Sequence, residues 1–501
     1  MKTILFVTHE ASRTGSPLNL LRFLRWLRKN TAQEFEVVVG KDGPLVADFA
    51  KLGPVHTPFT LAQKSESELH GFLERFALIY ANSCWSTALV ESWPFGDTPI
   101  VTHVLEVMDD SIDALGLKNL AAMIRFSNRF VVSTKAGARD LERRFGVPAE
   151  RMSIHYCMVD DESILGGVSA ELRTALRRKA GIPEDAFVVA ACGSVEMRKG
   201  PDLFVQIATR FCREFGGERP IRFIWIGGTR DFDLNRYLRR DIQRLGLGEQ
   251  VAFVGESGNP NDLLALSDVL CVTARVEALA MAMMETASLG VPVVYFDGAG
   301  GAEEFCSYGG GCGVPYLDID AMAAKCREFM VNPGSAATMG HRGVETVRKS
   351  FSVDAVAPGL WSEVDAWLQE PPPMSPFRAS GCSLGDIFAS WKLDDSPDAK
   401  QVQETAARNT SLREAQALVD QGRLPEAVAV LIRAARPRST RDLEGVQETL
   451  VDIGGALKRL DPKKGDYLLR EAEKLGEMTG RSVEEIRAEL PNNSRRPEFA
   501  V

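Results

Sequence analysis

From residue 3 to about residue 350, short apolar runs recur at regular intervals, and most of the intervals are long enough to hold a helix. The runs are TILFVTH (3–9), FEVVVG (35–40), ALIYANS (77–83), PIVTHV (99–104), RFVVST (129–134) and RMSIHY (151–156), then FVVAACGS (187–194), IRFIWIGG (221–228), VAFVGE (251–256), DVLCVTA (268–274) and VPVVYF (291–296). Strands that read as continuous apolar runs, separated by amphipathic stretches, point to parallel sheets covered by helices on both faces. About eleven strands exceed one ordinary doubly wound sheet. The pattern therefore predicts an α/β fold of two Rossmann-like domains, 1–165 and 166–352. The divide falls in the polar, glycine-containing MVDDESILGGVSAEL.

Beyond the second domain the pattern changes. VDAVAPGLWSEVDAWLQ predicts one more helix, 353–370, crossing back onto the first domain. PPPMSP opens an extended linker, 371–405, because consecutive prolines remove helix donors. Residues 406–501 read as a helical appendage. In SLREAQALVDQGRLPEAVAVLIRAARP the small and apolar residues Ala415, Leu418, Gly422, Ala427, Leu431 and Ala434 resemble one tetratricopeptide repeat.

Charge and cysteine usage exclude several function classes. A net charge of −9 argues against a generic nucleic-acid binder. The nine cysteines form no CxxC pair and no zinc spacing, so they read as free thiols in a reducing compartment. With neither a signal-like start nor a membrane-length apolar run, the expectation is a cytoplasmic protein. PLNLLRFLRWLRKN (17–30) could instead touch anionic lipid peripherally, as a basic amphipathic helix can. His9, His56, His70, His155 and His341 have no partner spacing and read as structural.

Four strand ends could carry chemistry. After the first strand comes SRTGSPLNLL, where Gly15 and Ser16 precede Pro17, a residue suited to the first helical position. Ser16 is the expected cap, and such a helix start offers amides to an anion. After FVVAACGS, Arg198, Lys199 and Gly200 form a cationic turn where sheet ligands usually bind. After DVLCVTA, Glu277 lies in a loop, and Glu285 lies within a helix expected from Leu279 to Leu289. Eight residues of helix rise about 12 Å, close to the span from the sugar to the ribose of a nucleotide sugar. After VPVVYF comes the glycine-rich loop FDGAGGAEEF, whose glycines allow a close approach to a ligand. Each of these could also be an ordinary turn. Two DxD matches, Asp231-Phe232-Asp233 and Asp318-Ile319-Asp320, read as helix caps.

Taken together, Glu277 to Glu285, GVPVV, Gly300-Gly301-Ala302-Glu303-Glu304, Lys199-Gly200, Thr14-Gly15-Ser16-Pro17 and HVLE (103–106) resemble the retaining, sucrose-synthase-like glycosyltransferases of GT-B fold, family 4 or group 1. The resemblance covers residues 1 to 369 and is sharpest from 187 to 305. It implies transfer of a sugar from a nucleoside-diphosphate sugar to an acceptor hydroxyl, with retention and with neither cofactor nor metal. Glu277 is then expected on the donor sugar, Glu285 on the ribose and Lys199 on the diphosphate. Gly15, Ser16, Arg198, Leu279, Ala280, Gly300, Gly301 and Glu304 are expected around the donor, and His103 near the transferred sugar. The acceptor, whether carbohydrate, lipid-linked or protein, is expected against the first domain, in polysaccharide or glycoconjugate biosynthesis. The sequence departs from the family pattern at Ser194, at Ala278-Leu279-Ala280 and at Tyr156. Two rival readings stand beside this one: an epimerase or hydrolase of nucleotide sugars, and a catalytically weak scaffold binding a protein partner through its C-terminal helices.

Overall fold

The computed structural model describes residues 2–379, apart from 91, 92, 94, 107–118 and 161–167, and beyond them short stretches between 418 and 484. Its first sheet holds β1 (Thr3–Thr8), β2 (Phe35–Val39), β3 (Val55–His56), β4 (Phe76–Asn82), β5 (Ile100–Val104), β6 (Arg129–Val132) and β7 (Met152–Ile154), in the order β3-β2-β1-β4-β5-β6-β7. The second holds β8 (Phe187–Cys192), β9 (Ile221–Ile226), β10 (Val251–Gly255), β11 (Val269–Val272), β12 (Val293–Phe296) and β13 (Gly311–Val314), in the order β10-β9-β8-β11-β12-β13. All the pairings within both sheets are parallel.

In each sheet the strand order reverses at the first strand. β1 lies between β2 and β4, and β8 lies between β9 and β11. At such a reversal the flanking connections leave on opposite faces and open a crevice at the carboxyl ends of the strands. β3 and β13 carry no apolar alternation, and sequence pattern does not find them. β3 is two residues long, and Gly311-Cys312-Gly313-Val314 becomes a strand only because β12 offers it a paired edge.

The helices that frame the two sheets include α1 (Gly15–Asn30), α2 (Lys135–Phe145), α3 (Pro201–Phe215), α4 (Phe232–Arg244), α5 (Met281–Ser288), α6 (Ile319–Val331), α7 (Pro333–Ser350) and α8 (Val353–Gln369). α1 turns Leu20, Leu21, Phe23, Leu24 and Leu27 into the first core, each 1% exposed or less. The helix expected to be able to touch lipid therefore has no apolar face left for a membrane. α3 and α6 cover one face of the second sheet through Phe204, Ile207, Phe211, Met322 and Phe329. α5 and α7 serve the other face, with Met283, Met284, Ala287 and Val347 buried.

α8 starts from Ser352, whose side chain accepts from Ala355 N–H, and it runs back to the first sheet. Val356, Leu360, Val364 and Leu368 share one apolar cluster with Ile4, Phe6, Leu20 and Tyr80. His155 Nε2 meets Glu363 Oε1 at 3.2 Å and fastens the same helix to the end of β7. The chain beyond α8, where the linker is expected to begin, starts docked against the first sheet's helices and turns. Asn128 Nδ2 donates to the Pro372 and Pro373 carbonyls at 3.2 and 3.0 Å, and Ser375 is fully buried.

Residues 380–405 of that linker lie outside the described residues. In the region expected to be a helical appendage, Pro462–Thr479 is a helix, and Ala427, Val428, Leu450, Val451, Leu468, Leu469 and Ala472 form one apolar cluster with Leu418 packed on it. Ala415, Gly422, Leu431 and Ala434 of the repeat-like pattern are outside the described residues.

Candidate functional site: the crevice of the second sheet

β8 ends at Cys192, and the chain turns through Gly193 to Gly200. Gly200 adopts φ +70°, and a Cβ there would stand 2.0 Å from the Thr273 carbonyl oxygen, so only glycine lets the turn lie against the end of β11. Thr273 Oγ1 donates to Lys199 O at 3.0 Å, and Arg275 N–H donates to Arg198 O at 2.8 Å. Arg275 also forks Asp202 at 2.9 and 2.7 Å, which fixes the first turn of α3 to the same loop. The loops after β8 and β11 are thus stitched together, and their charged side chains converge.

Lys199 Nζ donates to Glu277 Oε2, and Arg198 Nη1 lies 3.5 Å from that same oxygen. The other side of Arg198 holds Glu196 at 2.9 Å. Burial opposes ionisation of Glu277, but the Lys199 and Arg198 charges outweigh it, helped by hydrogen bonds from Lys199 and from the Ala278 amide. Its carboxyl is held below the usual range. In this conformation Lys199 and Glu277, expected to face diphosphate and sugar separately, hold each other. With Cys192, Ala280 and Met283 they line a cavity of about 20 Å³, room for a water molecule and not for a diphosphate.

The glycine-rich loop after β12 packs against the loop of Glu277. Gly300 adopts φ +126°, and Cβ atoms at Gly300 and Gly301 would stand 2.0 and 1.8 Å from the Glu277 and Ala278 carbonyl oxygens. Glu277 N–H donates to Ala299 O at 2.8 Å, and Gly301 N–H donates to Glu277 O at 3.0 Å. These glycines let one loop brace the loop of Glu277. Glu304 is also spoken for: it accepts from Lys135 N–H at the start of α2 (2.9 Å) and from the Tyr156 hydroxyl (2.6 Å). Tyr156, a departure from the family pattern, is what reaches Glu304, and burial followed by that carboxylate raises its pKa.

α5 starts at Met281, two residues later than expected, because Leu279 is drawn into the core at 5% exposure and Ala280 becomes the N-cap. No side chain caps α5, and none caps α1, where Thr14 and not Ser16 is the N-cap. Ser16 instead accepts from Asn82 Nδ2 at 2.9 Å. A Cβ at Gly15 would lie 3.2 Å from Met281 Sδ, so the two uncapped helix starts meet. Neither first turn carries an acidic residue. Glu285, one turn into α5, faces α1, and Arg22 Nη2 donates to its Oε1 at 2.6 Å.

Residues 173–346 match the family described as Glycosyl transferases group 1. A D-inositol 3-phosphate glycosyltransferase of Kribbella flavida is 26% identical over 231 residues, 44% of this chain and 53% of the relative. The O-antigen biosynthesis glycosyltransferase WclY of Escherichia coli is 25% identical over 148 residues, 30% of this chain and 38% of the relative. The chain thus spans about half the length, or less, of these curated relatives. Anabaena Alr3699/HepE, solved with UDP and glucose, superposes with a TM-score of 0.64 at 20% identity, covering 73% of this chain and 100% of that one. Sucrose-phosphate synthase from Thermosynechococcus elongatus gives 0.58 at 18% identity, covering 73% and 100%. These likenesses show that the fold is GT-B.

The matched stretch 173–346 contains every charged residue expected at the site. The first domain is expected to add His103, and here sequence and structure part. His103 is the fourth residue of β5, not a loop residue, and it is 1% exposed. Its Nδ1 shares a 2.9 Å hydrogen bond with the Tyr80 hydroxyl, and its Nε2 is buried without a partner. Burial, and then His155, push its pKa down to about 3, so it is neutral. Sequence reading misses Arg22, which meets Glu285. The available signal is its helical phase. Leu18, one turn earlier on the same face, packs against the core that contains Met281 and Met283.

Both DxD sequences are caps. Asp231 accepts from Leu234 N–H at 2.9 Å and Asp318 from Ala321 N–H at 2.8 Å. Among the described residues no group of three His, Cys, Asp or Glu side chains could hold a metal ion, and no helix is long and apolar enough to cross a membrane.

Proposed function

We propose that the chain is a glycosyltransferase that moves a sugar from a nucleoside-diphosphate sugar to an acceptor hydroxyl, with retention at the anomeric carbon and without metal. The observation that carries the reading is the junction of Gly15 with Met281, where two uncapped helix starts meet beside Lys199 and Glu277. Helix starts present free amides and a positive dipole end, and a diphosphate is the ligand such a junction suits.

Breaking a glycosyl–phosphate bond leaves positive character on the sugar and negative charge on the departing diphosphate. Lys199 would exchange its partner, releasing Glu277 to the sugar hydroxyls and neutralising the leaving group itself. The stabilisation then grows as charge develops, which is what accelerates a reaction. Glu285 would accept from the ribose. The relatives act on inositol phosphate and in O-antigen biosynthesis by their names, so small polyols and growing glycans are both acceptor candidates.

The test is donor consumption by the full chain across UDP, GDP and ADP sugars, with and without acceptors, in the presence of EDTA. The anomeric configuration of the product is read by NMR. Acceptor-dependent release of nucleotide with retained configuration is expected. Release without an acceptor points to a hydrolase, isomerised donor to an epimerase, and absence of both binding and turnover to a scaffold.

A further inference from the structure

α1 belongs to the first sheet, yet two of its polar side chains are spent on the chain segment that joins the two sheets. Asn19, 1% exposed, accepts from Met158 N–H at 2.8 Å. Arg22, 9% exposed, donates from Nη1 to Met158 O at 2.8 Å. Both backbone groups of one connecting residue are therefore held by one helix. The guanidinium is fixed there, and its other arm points at the second sheet's helix α5, where Nη2 meets Glu285 Oε1. Oε2 of Glu285 accepts no hydrogen bond among the described residues.

We propose that Arg22 is a positioning residue for nucleotide recognition: it grips one oxygen of Glu285 and turns the other toward the ribose diol. The proposal rests on the reading of this crevice as a nucleotide-sugar site. Two physical consequences make the arrangement useful. A carboxylate with one oxygen in a charge-assisted hydrogen bond loses its rotational freedom, so the free oxygen is pre-organised for a hydroxyl donor. The pair is also neutral. A bare carboxylate would repel the diphosphate that must bind nearby, and Arg22 cancels that charge. Because Arg22 comes from the first sheet and is indexed by Met158, ribose recognition becomes conditional on the two sheets standing in this relation. Nucleotide binding and domain closure are then linked through one side chain.

The experiment is calorimetry of the full chain with UDP, GDP and ADP and with the 2′-deoxy and 3′-deoxy forms of whichever binds. Wild type is expected to favour the ribonucleotide by about tenfold or more, the ordinary cost of leaving a site's hydrogen-bonding group unpaired. Arg22→Ala is expected to weaken the ribonucleotide by more than it weakens the deoxy forms, so that the preference disappears. Glu285→Gln should do the same, and the double variant should be no worse than either single one. Arg22→Lys should restore part of the preference. Asn19→Ala loosens the hold on Met158 but keeps the Arg22–Glu285 pair, and it should retain the preference.

Uniform weakening of ribo and deoxy forms by Arg22→Ala, with the preference intact, overturns the proposal and leaves a merely structural ion pair. Tighter binding by Arg22→Ala also overturns it, because Arg22 would then be competing with the ribose. Absence of binding of all three nucleotides to wild type fails the functional reading itself.

Discussion

The two sheets have the same plan and treat their crevices in opposite ways. Each has its first strand at the point of reversal, a turn off that strand and a helix beyond it. In the second sheet the turn carries Arg198 and Lys199 against Glu196 and Glu277, a compact set of charges that cancel. In the first sheet the corresponding ground is polar, and its carboxylates Glu10 and Glu106 are held by hydroxyl and amide donors. Thr102 shares hydrogen bonds with Thr87 (3.1 Å) and Ser127 (2.6 Å), Asn82 reaches Ser16, and His103 is neutral. Glu10, the carboxylate beside the first turn, is occupied by the Ser12 and Thr14 hydroxyls at 2.6 and 3.0 Å. A wall held by hydroxyls imposes shape, whereas a charged pair can exchange partners. On the proposed function, the second sheet is the half expected to grip the diphosphate, and the first is the half expected to position the acceptor.

Removing the charge on the gripping side should have the largest effect. Lys199→Ala deletes the cation expected to neutralise the leaving diphosphate and leaves Glu277 with Arg198 alone. Turnover of the nucleotide sugar is expected to fall by about 100- to 1000-fold, the range for losing one donor that stabilises developing charge. The contrasting variant beside the first sheet is Arg13→Ala, an exposed charge of the first turn, which should change the rate little. Steady-state kinetics on both would break the comparison if the two losses were equal.

The turns themselves give the next contrast. At Gly200 an added Cβ meets backbone 2.0 Å away under a φ of +70°, and neither the Thr273 carbonyl nor the turn can yield. At Gly15 it meets only the Met281 sulfur at 3.2 Å, the end of a flexible side chain. Gly200→Ala should cost about 3 kcal/mol of unfolding free energy, from strain plus displaced backbone. Gly15→Ala should cost well under that and show itself mainly in nucleotide affinity. Urea unfolding of the two variants is the measurement.

The same contrast decides how much is legible in the sequence. Both sheets and the helix at 353–369 can be read from apolar periodicity, because buried parallel strands have almost no other way to look. Glu277 and Glu285 stand out because charge inside an apolar run is conspicuous, and Lys199 because it follows a buried strand in a cationic turn. The pairing of Lys199 with Glu277 does not, since it depends on two loops meeting through Gly200, Thr273 and Arg275. Gly300 and Gly301 are conspicuous too, but their pattern suggests a ligand, whereas their missing Cβ atoms make room for the carbonyls of Glu277 and Ala278. His103 is conspicuous near a strand end, but the packing of Tyr80 beside it, which seals it to 1% exposure, is not legible.

That seal makes His103 an acid-sensitive element of the first sheet. Its folded pKa is about 3 against 6.5 for the free side chain, so the unfolded chain binds its proton first as pH falls. The contribution is fully present above pH 6.5, and it is lost progressively as pH drops toward 3. At pH 5 the loss is about 2 kcal/mol, one and a half units at 1.36 kcal/mol each. His103→Gln should flatten the fall in stability between pH 7 and pH 5. Glu277 supplies no matching sensitivity in that window, because its carboxyl, held below the usual range, keeps its charge there. Thermal melts at pH 7 and pH 5, wild type against variant, separate the two halves of the molecule.

The smallest expected effect bears on whether the second sheet's charges include a hidden metal site. Asp231 and Asp318 stand in DxD sequences, but each side chain already accepts an amide hydrogen of its own helix, Leu234 at α4 and Ala321 at α6. A cap keeps one oxygen busy with backbone, and Asp233 pairs with Arg236 at 2.9 Å while Asp320 pairs with Arg210 at 2.7 Å. Asp231→Ala and Asp318→Ala should therefore each cost about 1 kcal/mol of stability, the usual loss for an N-cap. Neither should alter turnover or its response to added magnesium or manganese. A rate that fell with either variant and recovered with metal would move the charged grip of the second sheet from a lysine-centred site to a metal-centred one.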